Sequence, residues 1–319
     1  MTVTAETLPT LMDRMPAAKG RLRADASLSK VTWFQVGGLA DVLFKPDDEQ
    51  DLASFLKNLE TDIPVFYLGV GSNLLVRDSG FRGVVIRLGR AFTGMEVIDD
   101  HCLRIGAGAL DINVARFAAE AGLTGAEFLS GIPGAIGGAL RMNAGAYGAE
   151  IRDILVSAVA YDRRGIRHDL TLDAMGFSYR HCEIPSDWIF TEAVIRLAKG
   201  DQSVIQNRMQ EIASSREDSQ PVKSRTGGST FANPEGKKAW ELIDAVGGRG
   251  LTIGAAQVSD KHCNFLINKG GATARDIEAA GEEVRRRVFK EFDILLRWEI
   301  VRLGDRSDND NVENREVSS

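Results

Sequence analysis

Two segments of the 319-residue chain place glycines where side chains would ordinarily stand. Residues 130 to 148 read SGIPGAIGGALRMNAGAYG, with Gly131, Gly134, Gly137, Gly138, Gly145 and Gly148. Glycine contributes nothing to a core and loses more conformational freedom on folding than other residues, so something must approach this backbone closely. A disordered linker would be polar throughout, whereas Ile132, Ile136, Leu140, Met142 and Tyr147 stand among these glycines. The stretch predicts an ordered surface that faces a ligand. Residues 68 to 75, LGVGSNLL, supply Gly69, Gly71, Ser72, Asn73 and Leu74 after the strand-like PVFY. A dinucleotide-binding GxGxxG must open a helix, with an acidic residue about 20 positions on. Here Leu74 replaces the third glycine and the chain runs into a turn and another strand, which argues against an NAD-binding Rossmann unit. Backbone N–H groups in such a turn can form an anion nest. Two segments of this kind predict one pyrophosphate-containing cofactor held between two walls.

Three further residues have a chemical capacity that their local sequence does not assign. Arg180 in FSYRHC can hold a carboxylate through two parallel hydrogen bonds and stays charged, or it can make an ordinary surface ion pair. In DILLRWEIVRL, strand alternation puts Arg297, Glu299 and Val301 on one face and Leu296, Trp298 and Ile300 on the other. A carboxylate among such neighbours is either paired or perturbed. Ser229 follows Gly227 and Gly228, which leave space for its hydroxyl, although turns and helix caps use serine in the same way. The pairs His101-Cys102, His181-Cys182 and His262-Cys263 raise the question of a metal. Neighbours on a strand point to opposite faces and no CxxC or HxxxH spacing occurs, so no metal is expected. Three widely spaced cysteines imply no disulfide framework.

The elements that must position these groups have an α+β character. From Val31 to Leu88 strand and helix signals alternate: DVLFKP, the helical DEQDLASFLKNLE, then PVFYLG and GVVIRL. From Met95 to Lys199 the strands EVI, CLRIGAG, ILVSAVAYD and WIFTEAVIRL surround the helix INVARFAAEAG and the long glycine segment. The polar helix QSVIQNRMQEIASSRED leads to the turn-rich QPVKSRTGGSTFANP. A last unit follows, with helices in KKAWELIDAVG and TARDIEAAGEEVRRRVFKEF and strands in NFLIN and DILLRWEIVRL. The expected division is an extension over 1–26, subdomains over 27–94 and 95–200, a third unit over 201–304 and a polar tail over 305–319. A net charge of −6 and a pI near 5.4 argue against nucleic acid or an anionic membrane as partner. The acidic N-terminus without a continuous apolar run is neither a secretory signal nor a span, so a cytosolic location is expected.

Taken in order, TWFQVGGLADVLFKP, YLGVGSNLLVRDSGFRGVVIRL, SGIPGAIGGALRMNAGAYG, FSYRHC, GGSTFANP and DILLRWEIVRL make the chain similar to the UDP-N-acetylenolpyruvoylglucosamine reductases over residues 27 to 303. The resemblance implies a two-subdomain FAD-binding fold of the vanillyl-alcohol oxidase type and a C-terminal α+β substrate-binding domain. It implies noncovalent FAD, NADPH as hydride donor, and reduction of UDP-N-acetylglucosamine-enolpyruvate for peptidoglycan synthesis. FAD is then expected against Gly69, Gly71, Ser72, Asn73 and Leu74 on one side. On the other side are Gly131, Ile132, Pro133, Gly134, Gly137, Gly138, Asn143 and Ala146. Arg180, Ser229 and Glu299 match the family's catalytic residues, and Tyr179, Arg225, Asn233 and His262 are substrate-binding candidates, with Lys223 a further cation for the diphosphate. The chain looks like the shorter group without a tyrosine lid, and a monomer is expected. An FAD-dependent oxidase or dehydrogenase of the same superfamily, or a noncatalytic nucleotide-binding protein, would share the glycine walls without needing Arg180, Ser229 and Glu299 together.

Overall fold

The structure is a computed structural model and describes residues 10–305. The start of the predicted extension, 1–9, and nearly all of the predicted polar tail lie outside the described residues. The first sheet orders its strands Arg21–Ser27, Leu39–Lys45, Phe81–Ile86 and Val65–Tyr67. The first two are antiparallel and the remaining neighbours are parallel. Strand alternation sends Val42, Phe44, Val84 and Ile86 to one face, where Leu52, Phe55 and Leu56 of the helix Glu49–Asn58 cover them. Burial of each such side chain contributes about 1.5–3 kcal/mol. Asp48 caps the helix by accepting the Asp51 N–H at 2.7 Å. The extension expected over 1–26 is corrected here, because Arg21 already pairs with Lys45 and opens the sheet. Its exposed charges, Arg21, Arg23 and Asp25, obscure the strand pattern in the sequence.

The second sheet is antiparallel throughout, ordered Arg167–Thr171, Leu155–Tyr161, Ile189–Arg196, Cys102–Gly106 and Met95–Val97. Helices Asp111–Glu120 and Ile136–Met142 contribute Val114, Ala118, Ile136 and Leu140 to its core. The second of these helices is missing from the sequence-based expectations, because Gly137 and Gly138 hide it and glycine is a poor helix former. Val159, Tyr161 and Ile189 join the core of the first sheet and dock the two subdomains.

The third unit packs the helices Ala239–Ala245 and Ala274–Phe292 with a small antiparallel sheet, Thr252–Ile253, Ala256–Val258 and Leu266–Asn268. Its core takes in Phe34, Val36 and Leu75 from the first unit. DILLRWEIVRL is not one continuous strand. Only Val301–Leu303 is a strand, and it pairs in parallel with Leu74–Val76. The chain thus returns to the first unit before residue 304. Among the described residues no helix is long and apolar enough to cross a membrane.

Asp111, in the first turn of the helix Asp111–Glu120, is fully buried, and neither carboxyl oxygen has a partner among the described residues. A β-carbon on Gly134 would lie 2.5 Å from its Oδ2, so Gly134 leaves room for this carboxyl beneath the glycine-rich turn. Burial holds the group well above the ordinary carboxylate range. Below the unfolded value of about 3.9 both states are protonated and ionisation is without effect. As pH rises, the unfolded chain ionises while the folded acid does not, so stability falls until the raised folded value is passed. Asp111→Asn removes this slope. The melting temperature of the variant should gain on wild type between pH 5 and pH 8 in thermal scans at saturating FAD. A difference independent of pH would show that Asp111 titrates normally.

Candidate active site

The GVGSN turn is fixed from beneath and from both sides. Gly71 has φ +69°, and a β-carbon there would meet the Val31 carbonyl oxygen at 2.5 Å. Its own carbonyl accepts the Trp33 N–H at 3.0 Å. The loop that begins TWFQVGG therefore braces this turn. Asn73 donates from Nδ2 to Met142 Sδ and to the Glu299 carbonyl, both at 3.1 Å, and its own carbonyl accepts the Val301 N–H. One asparagine thus joins the first glycine turn to the end of the helix Ile136–Met142 and to the returning C-terminal segment.

Arg180 lies at the tip of a tight turn. Ser178 and His181 exchange both backbone hydrogen bonds, at 3.1 and 3.2 Å, which leaves Tyr179 and Arg180 between them. Arg180 has φ +54°, a left-handed conformation that is uncommon for a long side chain. Its Nε donates to Glu299 Oε1 at 3.2 Å and its Nη2 to the Gly145 carbonyl at 2.8 Å. Burial raises the Glu299 carboxyl above its ordinary range, and the opposing pull of Arg180 and then Arg297 does not cancel it. Ser229 enters through its backbone. Its neighbour Thr230 accepts the Glu299 N–H at 2.8 Å, and Ser229 itself bridges Phe265. Gly227 is glycine because a β-carbon would strike the Phe34 ring at 2.3 Å, and Gly228, at φ +80°, stands beside the Ser72 carbonyl. Arg180, Glu299 and the Ser229 segment therefore converge on the GVGSN turn from three parts of the chain.

The glycines of the two walls divide by what a β-carbon would meet. Gly131 is filled by the Tyr147 ring and Ile212, Gly134 by Asp111, and Gly137 is tight against the Ala107 carbonyl at 3.2 Å. These serve internal packing. Gly69 and Gly138 are exposed, lack a left-handed φ, and would meet no protein atom within 4 Å. Packing does not require glycine at either position. In a helix interior Gly138 even lowers stability by about 1 kcal/mol relative to alanine. Their open faces are suited to a ligand that lies close to the backbone.

Other predicted residues are placed differently. Asn143 is wholly buried and engaged by protein through both ends of its amide, so its side chain does not face an open surface. Tyr179 is half exposed, with the Arg180 guanidinium 5.3 Å from its ring centre. Asn233 accepts the Ala239 N–H at the start of a helix. His262 packs edge-on against Phe265 and Trp240, and burial lowers its pKa. Lys223 pairs with Glu217 at 2.8 Å, and the Arg225 backbone pairs with Asn268. Among the described residues no hydrogen bond or ion pair links Arg225, Asn233 or His262 to the Arg180–Glu299 pair. Cys102, Cys182 and Cys263 are free and buried, and no group of three potential metal ligands occurs among the described residues.

Residues 220–303 match the family profile of the UDP-N-acetylenolpyruvoylglucosamine reductase C-terminal domain, and residues 40–171 match an FAD binding domain. The UDP-N-acetylenolpyruvoylglucosamine reductase of Parvibaculum lavamentivorans is 58% identical over 304 residues, which cover 95% of this chain and 98% of that protein. That of Rhodospirillum rubrum is also 58% identical, over 92% of this chain and 93% of the relative. The crystal structure of the Thermus caldophilus reductase superposes with a TM-score of 0.78 at 35% identity, covering 89% of this chain and all of that one. The chain belongs to the UDP-N-acetylenolpyruvoylglucosamine reductase family. It is an FAD-dependent oxidoreductase that reduces UDP-N-acetylglucosamine-enolpyruvate in peptidoglycan synthesis, with NADPH as cosubstrate. Its fold is the two-subdomain FAD-binding type with a separate C-terminal domain.

The residues present fit FAD, since Gly69 and Gly138 leave backbone bare where no protein atom needs the space. Gly138→Ala tests this without reference to turnover. The apoprotein should gain up to about 1 kcal/mol in denaturant unfolding. A methyl group forced against a bound ligand costs about 1–3 kcal/mol, so the FAD Kd from fluorescence titration should rise about 5- to 150-fold. Unchanged affinity would place the cofactor away from this face.

Proposed function

We propose that Arg180, Glu299 and Ser229 form the catalytic group of the reductase. The carrying observation is the 3.2 Å Arg180–Glu299 pair bonded through the Glu299 backbone to both Asn73 and Thr230. Gly69, the GVGSN turn and the exposed side of Gly138 would hold FAD, which when bound would supply the hydride chemistry between NADPH and C3 of the enolpyruvyl group. Charge then develops at C2 and spreads into the neighbouring carboxylate. The Arg180 guanidinium is positioned to hold that carboxylate and to stabilise the charge without changing protonation state. A substrate carboxylate that draws Arg180 away from Glu299 leaves burial to favour the neutral glutamic acid more strongly. Glu299 is then a proton reserve beside the Ser229 segment. The Ser229 hydroxyl gives its proton to C2, a basic carbon that can take it from an alcohol, and the saturated lactyl ether results.

The three free, buried cysteines suit the reducing cytoplasm.

The two half-reactions separate these roles. Ser229→Ala should keep FAD and be bleached by NADPH at the wild-type rate in anaerobic stopped flow, because that step takes no proton from the serine. Reoxidation by UDP-N-acetylglucosamine-enolpyruvate should slow by about 10²–10⁴-fold. Equal loss in both steps would indicate damaged cofactor binding, and no loss in either would leave Ser229 a turn residue.

A further inference from the structure

We propose that Asn143 is a positioning residue, which holds the Arg180 turn in register with the wall of glycines rather than touching the cofactor. Its side chain is fully buried, and each end of the amide has a protein partner. Oδ1 accepts the Arg152 N–H at 3.0 Å, and Nδ2 donates to the Ser178 carbonyl at 3.2 Å. Ser178 is the residue that closes the Arg180 turn with His181, so its carbonyl accepts from both His181 N–H and Asn143. A carbonyl oxygen has two lone pairs, and both are engaged here. Two residues beyond Asn143, the Gly145 carbonyl accepts from Arg180 Nη2 at 2.8 Å. The segment 143–145 therefore grips the turn at its base and the guanidinium at its tip.

The backbone explains why asparagine suits this position. Asn143 has φ +42° and ψ +56° and terminates the helix Ile136–Met142. Asparagine tolerates the left-handed region better than most residues, and its short amide reaches neighbouring backbone from there. The same residue ends the helix that carries Gly138 and anchors the turn that carries Arg180. A shift of that turn by even a fraction of its bond lengths would move the guanidinium relative to any ligand lying on the helix.

This inference rests on the role proposed for Arg180. Two substitutions test it in the FAD-loaded, full-length protein. Asn143→Asp keeps the acceptor for Arg152 and the tolerance of left-handed φ, but its carboxylate cannot donate to Ser178. Asn143→Gly keeps the backbone freedom and removes both side-chain bonds, so it serves if a buried carboxylate prevents folding. FAD content, FAD Kd and bleaching by NADPH should match wild type. Reoxidation by UDP-N-acetylglucosamine-enolpyruvate should slow by up to about 10²-fold, the scale of a misplaced catalytic group. Combined with Arg180→Ala, neither substitution should slow that step further, because the group being positioned is gone. If Arg180→Ala alone leaves reoxidation unchanged, the active-site assignment and this inference both fall. If Arg180→Ala is slow while both Asn143 variants behave as wild type, only this inference falls. Loss of FAD, equal slowing of both half-reactions, or additive losses in the double variants would likewise overturn it in favour of a cofactor or general structural role.

Discussion

The parallel pairing of Val301–Leu303 with Leu74–Val76 is the constraint on which the site depends. It brings the end of the third unit back beside the first glycine turn, where Val301 donates to the Asn73 carbonyl and Asn73 donates to the Glu299 carbonyl. Glu299 is thereby placed by backbone geometry before its side chain makes any contact. Through the Thr230 carbonyl the same segment sets the height of Ser229. A three-residue ladder is weak in isolation, and it persists because Leu74, Leu75, Val76 and Leu303 are buried in cores shared between units.

Much of the scaffold is legible in the sequence because its pattern is local. The alternation of Val42, Phe44, Val84 and Ile86 with their neighbours, and the 3.6-residue spacing of Leu52, Phe55 and Leu56, follow from burial on one face. The helix Ile136–Met142 is not legible, since two of its residues are glycines. The strand Arg21–Ser27 is hidden because its outward residues are charged. DILLRWEIVRL alternates correctly, with Leu296 and Ile300 buried and Arg297 and Val301 exposed, yet most of it forms no sheet ladder. Alternation reports extended backbone with two unlike faces. It does not report which backbone lies alongside.

The candidate site was legible by residue type and not by function of each residue. Composition marks both glycine segments, but only the folded packing separates Gly131, Gly134 and Gly137, whose missing β-carbons admit Tyr147, Asp111 and Ala107, from Gly69 and Gly138, which face open space. Asn73 and Asn143 illustrate the same limit. Both stand in the glycine segments and both have amide hydrogens bonded to protein, across sequence separations that no local pattern encodes. Arg180 adds a conformational element, because its left-handed backbone is imposed by the closed Ser178–His181 turn and is not favoured by arginine itself.

Orientation of the third unit against the first is set largely by polar groups. Arg77 holds Glu278 through two 2.9 Å bonds, Arg302 reaches both Glu278 and Glu282, and Trp298 donates from Nε1 to Glu282 at 2.8 Å. The Arg302 guanidinium also lies 4.7 Å from the Trp298 ring centre. These groups are only partly exposed, so desolvation offsets much of their mutual attraction, and the network adds little to net stability compared with an apolar contact of the same size. Its contribution is directional. An apolar contact between the helix Ala274–Phe292 and the first unit would tolerate sliding, whereas paired guanidinium and carboxylate groups have one arrangement that satisfies them all. Trp298 is the residue before Glu299 and bridges Phe231, two residues after Ser229. Fixing Trp298 therefore fixes the bridged segments that carry the glutamate and the serine, and the ion network acts on the candidate site through backbone register.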